Sequence, residues 1–158
     1  MILESIDINV FAGLSSTGLE FAPGVNVVLG PNEAGKSTVY HAIRSALITP
    51  AGLGKRDFGR LLERYLPAAG GDTLEAELTF VHEGRRYRIS RVWGGAPATR
   101  LELPDGGVVT DDRQAQETIR SLFPAPAATV VRVFLTGQAD LAGTIDRLAE
   151  DPTVFSSV

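Results

Sequence analysis

The sequence contains no cysteine. Disulfide bridges and thiolate metal sites are therefore excluded, and the composition is compatible with a reducing, cytoplasmic setting. Histidine is scarce as well. His41 and His82 stand far apart in sequence, which argues against an imidazole-based metal cluster. No apolar run approaches the roughly 20 residues that a membrane-spanning helix needs, so no membrane partner is expected. The opening Met1-Ile2-Leu3-Glu4 lacks the basic flank and apolar stretch of a secretory signal and reads as the start of a strand. A formal net charge of −4 argues against a broadly basic nucleic-acid surface and leaves room only for a local patch. What is present is 158 residues, 44% of them hydrophobic, which suits one globular domain or one lobe of a larger one.

Ile2, Ile6, Ile8 and Val10 fall mostly two apart, the spacing of a strand, with a second short strand at residues 19–21 and a turn over 13–18. After Pro23-Gly24, the run Val25-Asn26-Val27-Val28-Leu29 has the character of a strand buried in a parallel sheet. A glycine loop follows at once, and then Val39, Ala42, Ile43, Ala46 and Leu47 mark a helix closed by Pro50 and Gly52. Residues 57–66 read as a further short helix. Leu74, Ala76, Leu78 and Phe80 alternate with polar residues, and Glu83-Gly84 turns the chain into a partner strand carrying Tyr87, Ile89 and Trp93. A weaker hairpin runs over 100–109 through Asp105-Gly106-Gly107. Residues 111–123 form an amphipathic helix with Ala115, Ile119 and Leu122 inward and Thr110 or Asp111 as its cap. The β-branched segment 129–135 predicts one more strand.

The loop Gly30-Pro31-Asn32-Glu33-Ala34-Gly35-Lys36-Ser37-Thr38 has the pattern G-x-x-x-x-G-K-S between a strand and a helix. Glycines let successive backbone N–H groups curl inward around a phosphate, and the following helix adds the positive end of its dipole. Lys36 supplies a full charge for the β- and γ-phosphates, and the Ser37 hydroxyl is a hard oxygen ligand for Mg²⁺. The expectation is a nucleoside triphosphate site, with Mg²⁺ and ATP as its ligands.

The same loop, preceded by Phe21-Ala22-Pro23-Gly24-Val25-Asn26-Val27-Val28-Leu29, resembles the amino-terminal lobe of the SMC, SbcC and RecF class of ABC-type ATPases, and Asn32-Glu33-Ala34 is most similar to the SbcC and YhaN branch. The opening Ile6-Asp7-Ile8-Asn9-Val10-Phe11 is similar to that class's first strand, although Ala12 and Gly13 stand where the class usually has a basic residue. Val133-Phe134-Leu135-Thr136-Gly137-Gln138-Ala139-Asp140-Leu141 resembles the class's Q-loop, which implies that Gln138 shares Mg²⁺ with Ser37 and orients the attacking water. Reading residues 135–138 as a degenerate signature motif fails, because the paired glycines are missing. The resemblance implies an α/β P-loop head lobe with parallel core strands plus an antiparallel hairpin subdomain. It divides into a loop-bearing core over about 1–50, an insert over about 51–128 and the Q-loop strand with the start of an arm over about 129–158. The sequence contains neither an apolar run ending in Asp-Glu nor a Ser-Gly-Gly signature. In the class both lie in a carboxy-terminal lobe beyond a coiled coil, so the chain reads as an excised fragment or a degenerate stand-alone lobe, with the fragment preferred. The resemblance then implies catalytic roles for Lys36 and Gln138, a carboxy-terminal lobe and a second head as ATP-dependent partners, DNA and a nuclease subunit as further partners, and little turnover by this chain alone.

Other features have plainer readings. Arg85-Arg86, Arg88 and Arg91 make a basic run across the hairpin, best read as a solvated face opposite Glu75 and Glu77 rather than a DNA contact. Trp93 beside Gly94-Gly95 reads as packing, His41 as an ordinary helical histidine, and Glu33 sits in the wrong place to be a hydrolytic base. The alternative function is a compact P-loop kinase or nucleotide transferase, with Arg56, Arg60 and Arg64 as lid residues.

Overall fold

Alternation dictates the sheet. In the computed structural model, which describes residues 1–123, the strands are β1 (Ile2–Phe11), β2 (Leu14–Glu20), β3 (Thr73–His82), β4 (Arg85–Gly94), β5 (Ala98–Glu102) and β6 (Val108–Val109). They form a six-stranded sheet in the order β2-β1-β3-β4-β5-β6, and every pairing is antiparallel. Register places Ile6, Leu78, Ile89 and Leu101 in one cross-strand row, and Ile8, Ala76, Arg91 and Thr99 in a neighbouring one. All eight are buried. Their face of the sheet packs under α1 (Lys36–Ile48) and α3 (Asp112–Ser121), which also touch each other. Val39, Ala42, Ile43, Ala46 and Leu47 of α1, with Ala115 and Ile119 of α3, complete this core. Between them lie α2 (Lys55–Leu61) and a 3-10 turn at Glu63–Tyr65.

The turns explain the register. His82 pairs with Arg85 across a two-residue turn in which Glu83 and Gly84 both take positive φ (51° and 74°), the geometry that matches strand twist. Phe80 and Tyr87 then stack at 5.4 Å between centroids. The β1–β2 connection is tighter than the sequence predicts. Only Ala12 and Gly13 turn the chain, with Ala12 at φ 53° and its N–H donating to the Tyr65 carbonyl at 2.6 Å. Residues 14–18, expected within the turn, are strand, because pairing to the long β1 continues from Phe11↔Leu14 to Ser5↔Glu20. The helix expected over 57–66 is interrupted at Leu62, whose side chain is buried and whose φ is −125°.

The largest difference concerns Val25, Val27, Val28 and Leu29. They are 93%, 71%, 43% and 86% exposed, and the run forms no strand. A strand exists only with a ladder partner, and among the described residues the sheet ends at β2 and β6 with nothing alongside this run. The expected parallel core is therefore not seen among the described residues. What holds the segment is local: Asn26 accepts from the Ala22 N–H at 2.9 Å and donates back to the Ala22 carbonyl at 2.8 Å, around a left-handed Gly24. The strand expected at 129–135 lies outside the described residues.

The expected cap of α3 is present. Asp111 precedes the helix in extended backbone and its carboxylate accepts from the Gln114 N–H at 2.7 Å. Asp111→Ala is expected to lower stability by about 1 kcal/mol, measured by urea unfolding. An unchanged midpoint would mean that α3 is held by its packing alone.

Candidate nucleotide-binding site

Residues 30–35 carry the chain to the start of α1, and the residue that makes this entry possible is Gly35. It sits at φ 86°, and a Cβ there would come within 2.7 Å of Leu14 Cδ2 on β2. Left-handed backbone and this close approach both favour glycine. The loop is closed upon itself by the Ala34 N–H bonded to the Pro31 carbonyl at 3.3 Å, and Glu33 takes positive φ. The first bond inside α1 runs from the Val39 N–H to the Gly35 carbonyl at 3.0 Å. No side chain caps the helix, and no acidic residue occupies its first turn. The amides at its entrance thus keep their donors for an anion, with the helix dipole behind them.

Lys36 completes the rim. Its ammonium donates to the carbonyls of Gly30 at 2.7 Å and Pro31 at 2.5 Å, so the charge is held over the loop mouth. Ser37 is exposed and Thr38 half-buried. Among the described residues no group of three His, Asp or Glu side chains could hold a metal ion. That donor set fits Mg²⁺ in one way only, as an ion carried by phosphate oxygens and water with the Ser37 hydroxyl as its protein ligand. The structure thus brings together residues 30–38. Gln138 lies outside the described residues, as does the rest of the Q-loop-like segment.

The other singled-out residues fall elsewhere. His41 packs its ring against Tyr40 and Tyr65 at 5.0 and 5.1 Å between centroids. Trp93 is fully buried, and its indole N–H donates to the Thr49 carbonyl at 3.1 Å. Arg60 pairs with Asp57 at 2.8 Å and Arg64 lies over the Tyr65 ring at 4.8 Å. A groove of about 1020 Å³ is lined by Arg85, Arg86 and Arg88 together with Glu102 and Asp105, and includes no residue of the phosphate loop. Arg86 is paired with Glu4 at 2.6 Å and Arg88 with Glu77 at 3.3 Å, in line with a solvated face. Glu75, expected opposite an arginine, instead accepts from Asn9 at 2.7 Å.

Arg91 breaks that reading. It is wholly buried, and its guanidinium donates from Nε to the Ala46 carbonyl at 2.9 Å, from Nη1 to Asp112 at 2.7 Å and from Nη2 to Gln116 at 2.7 Å. Asp112 also accepts from the Thr99 hydroxyl at 2.6 Å and from the Ala51 and Gly52 N–H groups at 3.0 Å. Burial drives the Arg91 pKa down from its usual value, against the opposing pull of Asp112. For Asp112, burial by itself acts upward. The hydrogen bonds from Thr99, Gly52 and Ala51, with the Arg91 charge, outweigh it and leave the carboxyl below its ordinary range. The sequence did carry a signal. Arg91 shares the parity of Tyr87, Ile89 and Trp93, the inward set, whereas Arg86 and Arg88 do not.

Comparison with known proteins agrees with this geometry. A DNA double-strand break repair Rad50 ATPase of Thermoplasma volcanium is 35% identical over 96% of the chain, which spans 16% of that protein. A second Rad50 ATPase, from Methanopyrus kandleri, is 31% identical over 94% of the chain and 17% of its own length. The chain thus spans about a sixth of these curated relatives. Among solved structures, one described under ATP-driven dimerization and DNA-stimulated activation of SMC ATPases matches with a TM-score of 0.54 at 16% identity, covering 94% of this chain and 99% of that one. A RecF–ATP structure from the RecFOR pathway matches with a TM-score of 0.55 at 19% identity, over 92% of this chain and 38% of that one. The fold is that of SMC and RecF ATPase heads, and the resemblance to the SMC, SbcC and RecF class is borne out. With a family model described as an AAA domain matching residues 5–151, the chain belongs to that AAA-domain family, AAA_23.

Proposed function

We propose that residues 30–38 bind Mg·ATP and that the chain is the ATP-binding half of a head that pairs with a second head in DNA repair or chromosome maintenance. The observation that carries this reading is the loop mouth. Uncapped amides at the start of α1, a left-handed Gly35 and the Lys36 ammonium converge on one place with no acidic side chain in the helix's first turn. Lys36 would offset phosphate charge, Ser37 would hold Mg²⁺, and Gln138 would join it and orient water. DNA is a further proposed partner, in keeping with the double-strand break repair for which the Rad50 relatives are named, and a nuclease subunit is proposed beside it. The exposed run Val25, Val27, Val28 and Leu29 supports the idea of a half-site. Such apolar residues before the loop have the composition of an inner strand, and a parallel core would form when strands of the complementary lobe pair there. The sequence supplies no Asp-Glu pair to act as base, so hydrolysis would depend on that lobe.

The test is a titration of the chain with ATP, with and without Mg²⁺, alongside a phosphate-release assay. Saturable, Mg²⁺-dependent binding with little or no turnover is expected. Vigorous hydrolysis by the chain alone, abolished by Lys36→Ala, would show that it is no half-site.

A further inference from the structure

The interior network around Arg91 is attached to the phosphate loop's own helix, at the opposite end. Helix α1 spans 13 residues, about 20 Å. It has no basic residue in its last turn. Instead its terminal carbonyls are taken from outside: Ala46 by Arg91 of β4, Leu47 by Gln116 of α3 at 3.5 Å, and Thr49 by Trp93 of β4. Just past the helix, Asp112 of α3 receives the Ala51 and Gly52 amides. On the buried face of α1, Val39, Ile43 and Leu47 pack into the core while Ala42 and Ala46, both fully buried, offer little relief to interlock with the sheet. Apolar packing is non-directional, whereas a forked guanidinium bonded to a helix carbonyl, a carboxylate and an amide oxygen sets both rotation and axial position.

We propose that Arg91 is a positioning residue for the phosphate loop, locking the far end of α1 so that at its near end Gly35 keeps its place against Leu14 and Lys36 its place over the Gly30 and Pro31 carbonyls. This rests on the Mg·ATP reading for its functional consequence, but the positional claim stands by itself. Arg91→Lys is the informative change. It keeps a buried positive charge yet cannot reach the Ala46 carbonyl, Asp112 and Gln116 together. Two measurements on the chain decide the matter. In the nucleotide-free protein, the Leu14 methyl and Gly35 amide NMR resonances are expected to shift, although they lie about a helix length from the substitution. In the second, Mg·ATP affinity, measured well below the unfolding temperature, is expected to fall on the order of tenfold. A purely local structural role would lower thermal stability and leave both readouts unchanged, overturning the proposal. If Arg91→Lys does not fold, Gln116→Ala removes one arm of the network while retaining the ion pair, and unmoved Leu14 and Gly35 resonances there would be equally fatal. Absence of any ATP binding by the unaltered chain would instead reject the nucleotide reading, with the resonance shifts still deciding whether Arg91 positions α1.

Discussion

Lys36→Ala is expected to weaken Mg·ATP binding on the order of 100-fold while leaving the unfolding temperature nearly unchanged. A hydrogen bond to a charged group contributes about 1.5–3 kcal/mol, and Lys36 would face two phosphates with a full positive charge. Its described partners are two loop carbonyls on an exposed rim, so the fold loses little. Alanine is also the best helix former for the first position of α1. Isothermal titration calorimetry paired with a thermal melt separates the two effects. A variant that binds ATP as the parent does would remove the loop from the function. A variant that loses binding only because it unfolds would show that Lys36 is a structural residue, contrary to its exposed surroundings.

Asp112→Ala is expected to cost about 3–5 kcal/mol of stability, a fall on the order of 10 °C in melting temperature. The size follows from what is left behind. Arg91 remains wholly buried with its ion-pair partner gone, and the Ala51 and Gly52 amides and the Thr99 hydroxyl lose their acceptor. Removing Arg91 instead is milder, because the Asp112 side chain is 27% exposed and keeps three other donors. The pH dependence has a definite sign. The folded pKa of Asp112 lies below its unfolded value of about 3.9, so its ionisation stabilises the fold at all pH above that value. This contribution disappears as pH falls through the lower, folded value. Urea midpoints for the parent and Asp112→Ala should therefore be far apart at neutral pH and draw closer as pH falls below about 4. Equal midpoints at neutral pH would mean that the ion pair contributes nothing to stability.

The local elements were readable because each rests on short-range chemistry. The alternation in 74–80, the positive-φ pair Glu83-Gly84, the helical spacing from Val39 to Leu47 and the Asp111 cap all express interactions within a few residues. The errors arose where a distant partner decides. Residues 14–18 look like turn, yet they are strand because β1 is beside them. Residues 25–29 look like strand, yet no described neighbour pairs with them. Arg91 sits among solvated arginines in the sequence; side-chain parity on a pleated strand separates it from Arg86 and Arg88, whereas Arg85 shares its parity at the exposed end of β4 and only burial tells those two apart.

The sequence by itself determined the candidate phosphate loop, because glycine freedom, a lysine charge and a helix start are properties of adjacent residues. It also determined the absence of disulfide chemistry. Tertiary structure alone decided that the helix following the loop is anchored at its far end by Arg91, Gln116, Trp93 and Asp112, drawn from β4 and α3. Burial makes those distant polar groups seek one another, since each would otherwise lose its water without replacement. No reading of neighbouring letters reveals which of them will meet.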